Sequence, residues 1–267
     1  VDIDHIRALY DQEQRQNLIV PGMRREVDGN LIRQVNLAEG GGMVIYSRLT
    51  AAELEATVQA QIAYYERIGQ DFEWKVYSHD PPPNLKDRLA THGFEVGEDE
   101  AILVLDLEAA PAILFEPVTH TIERVTDPRL IAEVIDVQQQ VWQSNFEWLK
   151  QRLMTNLRQR PDYLSVYVVY VDSVPVASAW TNFPSGNQFA SLWGGSTLST
   201  YRKRGIYTAL LAVRVQEAQR RGVRFLTVDA SLMSRPILQK LGFQLIAYAY
   251  PCMWSVGRTN QPGSIRS

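Results

Sequence analysis

The stretch Tyr201-Arg202-Lys203-Arg204-Gly205-Ile206-Tyr207-Thr208-Ala209-Leu210-Leu211 decides how this chain is read. Three cations and a glycine run into an apolar segment in which Ile206, Ala209, Leu210 and Val213 recur at i, i+3, i+4 and i+7, the spacing of one helix face. Upstream, Phe189 to Leu198 is strand-like and contains the flexible pair Gly194-Gly195. Strand, basic turn and helix in that order put unpaired N-terminal N–H groups beside positive side chains. Such a turn is a site for a phosphate.

Downstream, Val223 to Ala230 reads as a strand and Ser234 to Leu241 as a short helix, followed by Gly242-Phe243 and another apolar strand. With these residues the chain resembles the GNAT family of acetyl-CoA-dependent N-acetyltransferases. The family signature [Gln/Arg]-x-x-Gly-x-[Gly/Ala] is similar to Arg202-Lys203-Arg204-Gly205-Ile206-Tyr207, and the family's closing Lys-Leu-Gly-Phe to Lys240-Leu241-Gly242-Phe243. The likeness covers roughly residues 119 to 256. It implies an α/β fold with a mixed sheet, acetyl-CoA as co-substrate, and transfer of the acetyl group to a primary amine of a small molecule or peptide by direct attack.

Composition sets the frame. The 267 residues exceed the usual single domain, so two domains are expected. With 45% hydrophobic and 21% charged residues the chain can bury a core. The single cysteine, Cys252, excludes an intramolecular disulfide and a thiolate zinc cluster, which fits a reducing cytoplasm and no metal. No apolar run approaches the length of a membrane span, and Val1-Asp2-Ile3-Asp4 lacks the features of a signal peptide, so a cytoplasmic protein off the membrane is expected.

Charge is divided along the chain. From Pro161 onward there are 11 Lys plus Arg against 4 acids, leaving 16 basic and 26 acidic residues before it. A basic half suits an anionic ligand. Without zinc-finger spacing or an aromatic-basic ladder, a small polyphosphate fits better than nucleic acid. The sequence does not set an oligomeric state.

In chain order, Asp4 to Gln16 reads as an amphipathic helix, and Met23 to Val27 and Leu31 to Val35 as a hairpin around Asp28-Gly29 of type I′. Met43 to Leu49 reads as a strand, followed by a helix capped by Thr50 and stopped by Gly69. Then come a strand (Phe72 to Tyr77), a short helix (Leu85 to Thr91) ending at Gly93-Phe94, and a strand (Ala101 to Leu107). The second half repeats this order, which points to a diverged duplication: two GNAT-like domains in tandem. The first half lacks the phosphate turn, because Ser47-Arg48-Leu49-Thr50-Ala51 has no glycine. Residues 1–110 are therefore read as a degenerate GNAT-like domain, 119–257 as the acetyltransferase domain, and 258–267 as a disordered tail.

In the second half, Leu130 to Trp142 and Phe146 to Arg158 read as helices, and Tyr163 to Val171 with Val174 to Trp180 as a hairpin around Asp172-Ser173. The resemblance implies that Trp142, Phe146 and Trp148, at the helix junction, line the acceptor site. It gives Gly195, Ser196 and Thr197 to the pantetheine arm, and Arg202, Lys203, Arg204, Gly205, Ile206, Tyr207 and Thr208 to the pyrophosphate. Ser231 takes the place of a family asparagine.

Two departures stand out. Tyr207 replaces the small residue that lets phosphate approach, and Leu238 the tyrosine that protonates the leaving thiolate. Replacement acids or bases are then sought in Tyr207, Ser234 and Asp229, with Tyr248, Tyr250 and Glu147 behind them, since no histidine follows His120. The alternatives are a CoA-binding scaffold that has lost catalysis and, more remotely, a nucleic-acid binder.

Overall fold

The protein is described by a computed structural model covering residues 2–38 and 40–257; the tail expected to be disordered lies outside the described residues. Helix α1 (Ile3–Tyr10) starts at Asp2, whose carboxylate accepts from the N–H of Asp4 and His5, and it widens into a π-helical turn at Asp11–Gln16. Strands β1 (Met23–Asp28) and β2 (Leu31–Asn36) pair with Asp28 opposite Leu31, so the turn is Gly29-Asn30. Gly29 has φ 57° and Asn30 is not left-handed. This is the II′ pattern, with glycine at the first central position, one residue beyond the Asp28-Gly29 turn expected.

Strand β3 (Gly42–Ser47) leads to helix α2 (Leu54–Ile68). Thr50, expected to cap this helix, instead closes the turn before it with Glu53, and no side chain caps α2 itself: the Glu53 N–H donates to Thr50 Oγ1 at 3.3 Å, and the Thr50 N–H donates to the Glu53 carboxylate at 2.8 Å. The helix ends at Gly69, which takes the left-handed conformation (φ 67°). Then follow β4 (Phe72–Tyr77), α3 (Leu85–Thr91), the short β5 (Glu95–Val96) and β6 (Glu100–Asp106).

The rest of the chain supplies β7 (Thr121–Arg124), α4 (Ile131–Trp142), α5 (Glu147–Gln159), β8 (Leu164–Val171) and β9 (Val174–Asn182). Asp172 and Ser173 are both left-handed, as the I′ turn between β8 and β9 requires. After them come β10 (Phe189–Thr197), α6 (Ile206–Arg220), β11 (Phe225–Ala230), α7 (Arg235–Lys240) and β12 (Gln244–Trp254).

The chain forms two compact units, Val1–Ile102 with Ile246–Ser267, and Leu103–Leu245. In the first, the strand order is β1-β2-β3-β4-β12, antiparallel except for the parallel pair β3–β4. Its core holds Leu31, Val44, Val58, Tyr65, Phe72 and Trp74, with the Tyr65 and Phe72 rings stacked at 4.1 Å. These units are not the continuous halves read from the sequence. Strand β12, expected to close the second domain, pairs with β4 from Trp254↔Phe72 to Ala249↔Tyr77, and Cys252 and Trp254 enter the first unit's core. Strand β6 from Leu103 onward belongs to the second unit.

In the second unit the order is β6-β11-β10-β9-β8-β7. Strands β7 to β10 are antiparallel neighbours, and β10 and β11, joined through α6, are parallel. The apolar run of β8 is buried on both faces. Val166 and Val168 pack with Ile131, Val134, Leu149 and Leu153 of α4 and α5, while Tyr167 and Val169 pack with Ile206 and Leu210 of α6. Helix α6 is thereby fixed with its N-terminus at the end of β10.

Candidate active site

The turn between β10 and α6 is shaped by two left-handed residues, Lys203 (φ 62°) and Gly205 (φ 77°). Glycine takes this conformation without strain, and it leaves room for His120, whose Cε1 would be 3.6 Å from a β-carbon at residue 205. No side chain caps α6; its first intrahelical bond in the turn runs from the Ala209 N–H to Gly205 O at 2.9 Å. The N–H groups of Ile206, Tyr207 and Thr208 precede that bond, and the helix dipole adds positive potential there.

Arg202, Lys203 and Arg204 are exposed around this end. Arg202 Nε donates to Thr197 O at 3.2 Å, which ties the turn to the end of β10, and the Arg204 guanidinium lies 5.0 Å from the centre of the Tyr201 ring. His120 Nε2 sits 3.1 Å from Arg204 O. It comes from 84 positions away, a proximity that carries no signal in the sequence.

Strand β10 has the geometry an extended ligand needs. It pairs with β11 only from Phe189↔Phe225 to Ser191↔Thr227, yet β10 runs on to Thr197 and β11 to Ala230, so the two strands part. On its other side the register with β9 shifts between Trp193 and Ser196, a bulge centred on Gly194 and Gly195. Gly194 is obligatory: it is left-handed (φ 59°), and a β-carbon there would stand 1.8 Å from Trp180 Cζ3. The Gly195 backbone is exposed. Thr197 Oγ1 and Thr227 Oγ1 are buried without a hydrogen-bond partner. An unpaired strand segment, orphaned hydroxyls and an uncapped cationic helix end fit a polar arm laid beside β10 with its phosphates on the turn.

A side-chain relay holds the bulge. Gln138 of α4 donates through Nε2 to Gly194 O at 2.7 Å and to Ser178 Oγ at 2.9 Å, and Ser196 Oγ donates to Gln138 Oε1 at 3.1 Å. Trp142 Nε1 donates to Ser196 Oγ at 3.0 Å. Trp142, read as an acceptor-site residue, and Ser196, read as an arm residue, are thus in direct contact. Trp142 and Trp148 are 53% and 59% exposed, whereas Phe146 packs against the core beneath α4 and α5. Gln138 was missed in the sequence, although a glutamine on a helix face otherwise made of Ile131, Val134 and Ile135 is a legible signal.

The remaining candidates lie on α6, on β11, and in α7 and the turn before it. Tyr207 is half-buried with its ring against Gly195, and burial pushes its phenol pKa up, an effect the nearby Arg214 opposes. Asp229 lies half-buried on β11, past the last residue paired with β10. Ser231 and Ser234 are bonded to each other at 3.3 Å in the exposed turn before α7. Leu238 is fully buried. Among the described residues no group of His, Cys, Asp and Glu is arranged to hold a metal, and no helix is long and apolar enough to cross a membrane.

Residues 131–243 match the acetyltransferase (GNAT) family. A GCN5-related N-acetyltransferase from Kribbella flavida superposes with a TM-score of 0.69 at 16% identity, covering 97% of this chain and 95% of that one. A conserved protein of unknown function from Staphylococcus epidermidis gives 0.67 at 12% identity, over 90% and 97% of the two chains. A tandem GNAT protein from the clavulanic acid biosynthesis pathway gives 0.57 at 12% identity, over 97% and 89%. No protein of curated function matches. The chain as a whole thus has a GNAT fold, and its match to the GNAT acetyltransferase family lies in residues 131–243.

Proposed function

We propose that this protein transfers an acetyl group from acetyl-CoA to a primary amine of a small molecule or peptide, and that the second unit does so. The observation that carries this reading is the uncapped, cation-flanked N-terminus of α6 beside the segment of β10 that has parted from β11. The pyrophosphate is assigned to Arg202, Lys203, Arg204, Gly205, Ile206, Tyr207 and Thr208, and the arm to Gly195, Ser196 and Thr197. The Ser196 hydroxyl is already engaged by Gln138 and Trp142, so its contribution is through the backbone. Ser231, in the exposed turn after β11, is assigned to the same ligand.

When bound, acetyl-CoA supplies a thioester carbonyl for the amine to attack; the C–S bond breaks and the acetyl group passes to nitrogen. An amine of pKa ~10.4 is only about one part in a few thousand neutral at pH 7, so a proton must be removed. Asp229 is the proposed acceptor of that proton. Tyr207, kept protonated by its burial, is the proposed donor to the departing sulfur, with Ser234 as the other hydroxyl near α7. Trp142 and Trp148 offer exposed indole surface for the acceptor.

Leu238 supports a second reading, a CoA-binding scaffold without turnover, because a buried leucine gives no proton to a thiolate. One pair of measurements separates them. Arg204→Glu should weaken acetyl-CoA binding by roughly 1 to 3 kcal/mol in calorimetry, and a screen of amine acceptors should release free CoA thiol. Unchanged affinity in the variant sinks the site. Binding without thiol release across the screen supports the scaffold.

A further inference from the structure

Arg214 lies in the middle of α6 and is 2% exposed. A buried guanidinium is normally matched by a carboxylate, because an unpaired buried charge is costly. Arg214 has no such match. Among the described residues it forms no ion pair, and its one hydrogen bond runs from Nε to Leu210 O at 3.0 Å, leaving both terminal nitrogens without a protein acceptor. Glu217, one turn further on, is committed to Tyr167, Ser165 and Arg221. Burial brings the Arg214 pKa down to about 10, with Tyr207 and Tyr167 opposing the shift.

The direction of the side chain shows where the missing acceptor belongs. Helix side chains slant toward the N-terminus, and the bond to Leu210 O draws the guanidinium back one turn toward the phosphate turn. There Nη2 stands 3.8 Å from the position a β-carbon on Gly195 would occupy, beside the Tyr207 ring. Gly195 is the exposed residue of the bulge, in the part of β10 that has left β11. The guanidinium therefore reaches the strand and not the turn, where Arg202, Lys203 and Arg204 already supply positive charge.

We infer that Arg214 is a donor-binding residue, its terminal N–H groups taking a carbonyl oxygen of the acyl-pantetheine arm at Gly195. This rests on the acyl-CoA reading above. It gives the buried guanidinium an acceptor that no protein group provides, and it accounts for glycine at 195, where a side chain would stand between the guanidinium and the ligand. Without a ligand Arg214 is a burden, so its removal costs the free protein little.

The test uses the full chain with Arg214→Met, which keeps the stem and drops the charge. Calorimetry compares coenzyme A with 3′-phosphoadenosine 5′-diphosphate, its nucleotide half, which lacks the arm. The variant should lose about 10- to 100-fold in affinity for coenzyme A, keep wild-type affinity for the nucleotide, and melt no lower than wild type when free. Arg214→Gln carries the same comparison if the methionine variant does not fold. Unchanged affinity for coenzyme A overturns the inference and leaves the acyl-CoA reading standing. Equal losses for both ligands also overturn it, moving the guanidinium to the diphosphate. Failure of the wild type to bind coenzyme A overturns both.

Discussion

The ring of Tyr207 occupies the space that a side chain at residue 195 would need: a β-carbon on Gly195 would lie 3.2 Å from Tyr207 Cε2. Tyrosine at 207 breaks the GNAT signature, which has a small residue there, and the sequence alone suggests a crowded phosphate turn. The structure relieves the crowding elsewhere. The ring turns under β10, and the strand gives up its side chain to make room.

The pair should therefore behave as a unit. Gly195→Val is expected to destabilise the protein by about 1 to 3 kcal/mol through overpacking. The same substitution in a Tyr207→Ala background should cost well under half as much, since the clashing ring is gone. Denaturant melts of the four proteins in the cycle measure the coupling. Additive costs would show that the ring and the strand do not compete for space.

Leu238 invites the opposite experiment. The family's tyrosine at this place makes Leu238→Tyr look like a restoration of the missing acid, but the leucine is fully buried. Adding a ring and a hydroxyl there is expected to cost about 1 to 3 kcal/mol of stability with no gain in turnover. A faster enzyme of unchanged melting temperature would show that the side chain reaches the reacting sulfur after all.

Glu217 sets a pH signature in the second unit. Burial pushes its carboxyl up, but the hydroxyls of Tyr167 and Ser165 and the charges of Arg221 and Arg124 outweigh burial and hold it below its ordinary value of 4.5. A carboxylate depressed in the folded state stabilises the protein fully above its unfolded pKa, and that contribution is lost as pH falls through the folded one. Glu217→Gln should be destabilised by about 1 to 3 kcal/mol at pH 7, with the gap to wild type narrowing below pH 4.5. A gap independent of pH would mean that the residue acts through packing alone.

The parts of this fold that were legible in the sequence are those governed by local rules. The Asp172-Ser173 hairpin, the Gly69 stop and the strand-turn-helix around Gly205 each rest on a few neighbouring residues, and each is present. The rest depends on contacts across the chain. Nothing near β12 says that it pairs with β4, because an apolar strand satisfies either unit equally well. His120 reaches Arg204 O through topology alone. Arg214 is the intermediate case: a charge one turn beyond Leu210 in a helix rich in apolar residues is visible in the sequence, but only its lack of a partner gives it meaning.

The two units differ most at the helix that follows the first parallel strand, and the difference predicts stoichiometry. In the second unit the N-terminus of α6 carries no cap and is ringed by Arg202, Lys203 and Arg204. In the first, the turn leading into α2 is closed by Thr50 and Glu53, and the Glu53 carboxylate holds the Thr50 N–H and Oγ1 at 2.8 Å. The Glu53 carboxylate puts negative charge at this helix end where α6 has cations, and Leu49-Thr50-Ala51 offers no glycine for close approach. Acetyl-CoA should therefore saturate the whole protein at one equivalent per chain in a calorimetric titration. The experiment calls for the full chain, since residues 1–110 alone lack β12, which pairs with β4 and places Cys252 and Trp254 in the first unit's core. Arg204→Glu should remove most of the binding heat, and Glu53→Gln should leave stoichiometry and affinity unchanged. A second equivalent, or heat that survives in Arg204→Glu and vanishes in a Thr50 variant, would place a donor site on α2 and end the description of the first unit as one without a phosphate turn.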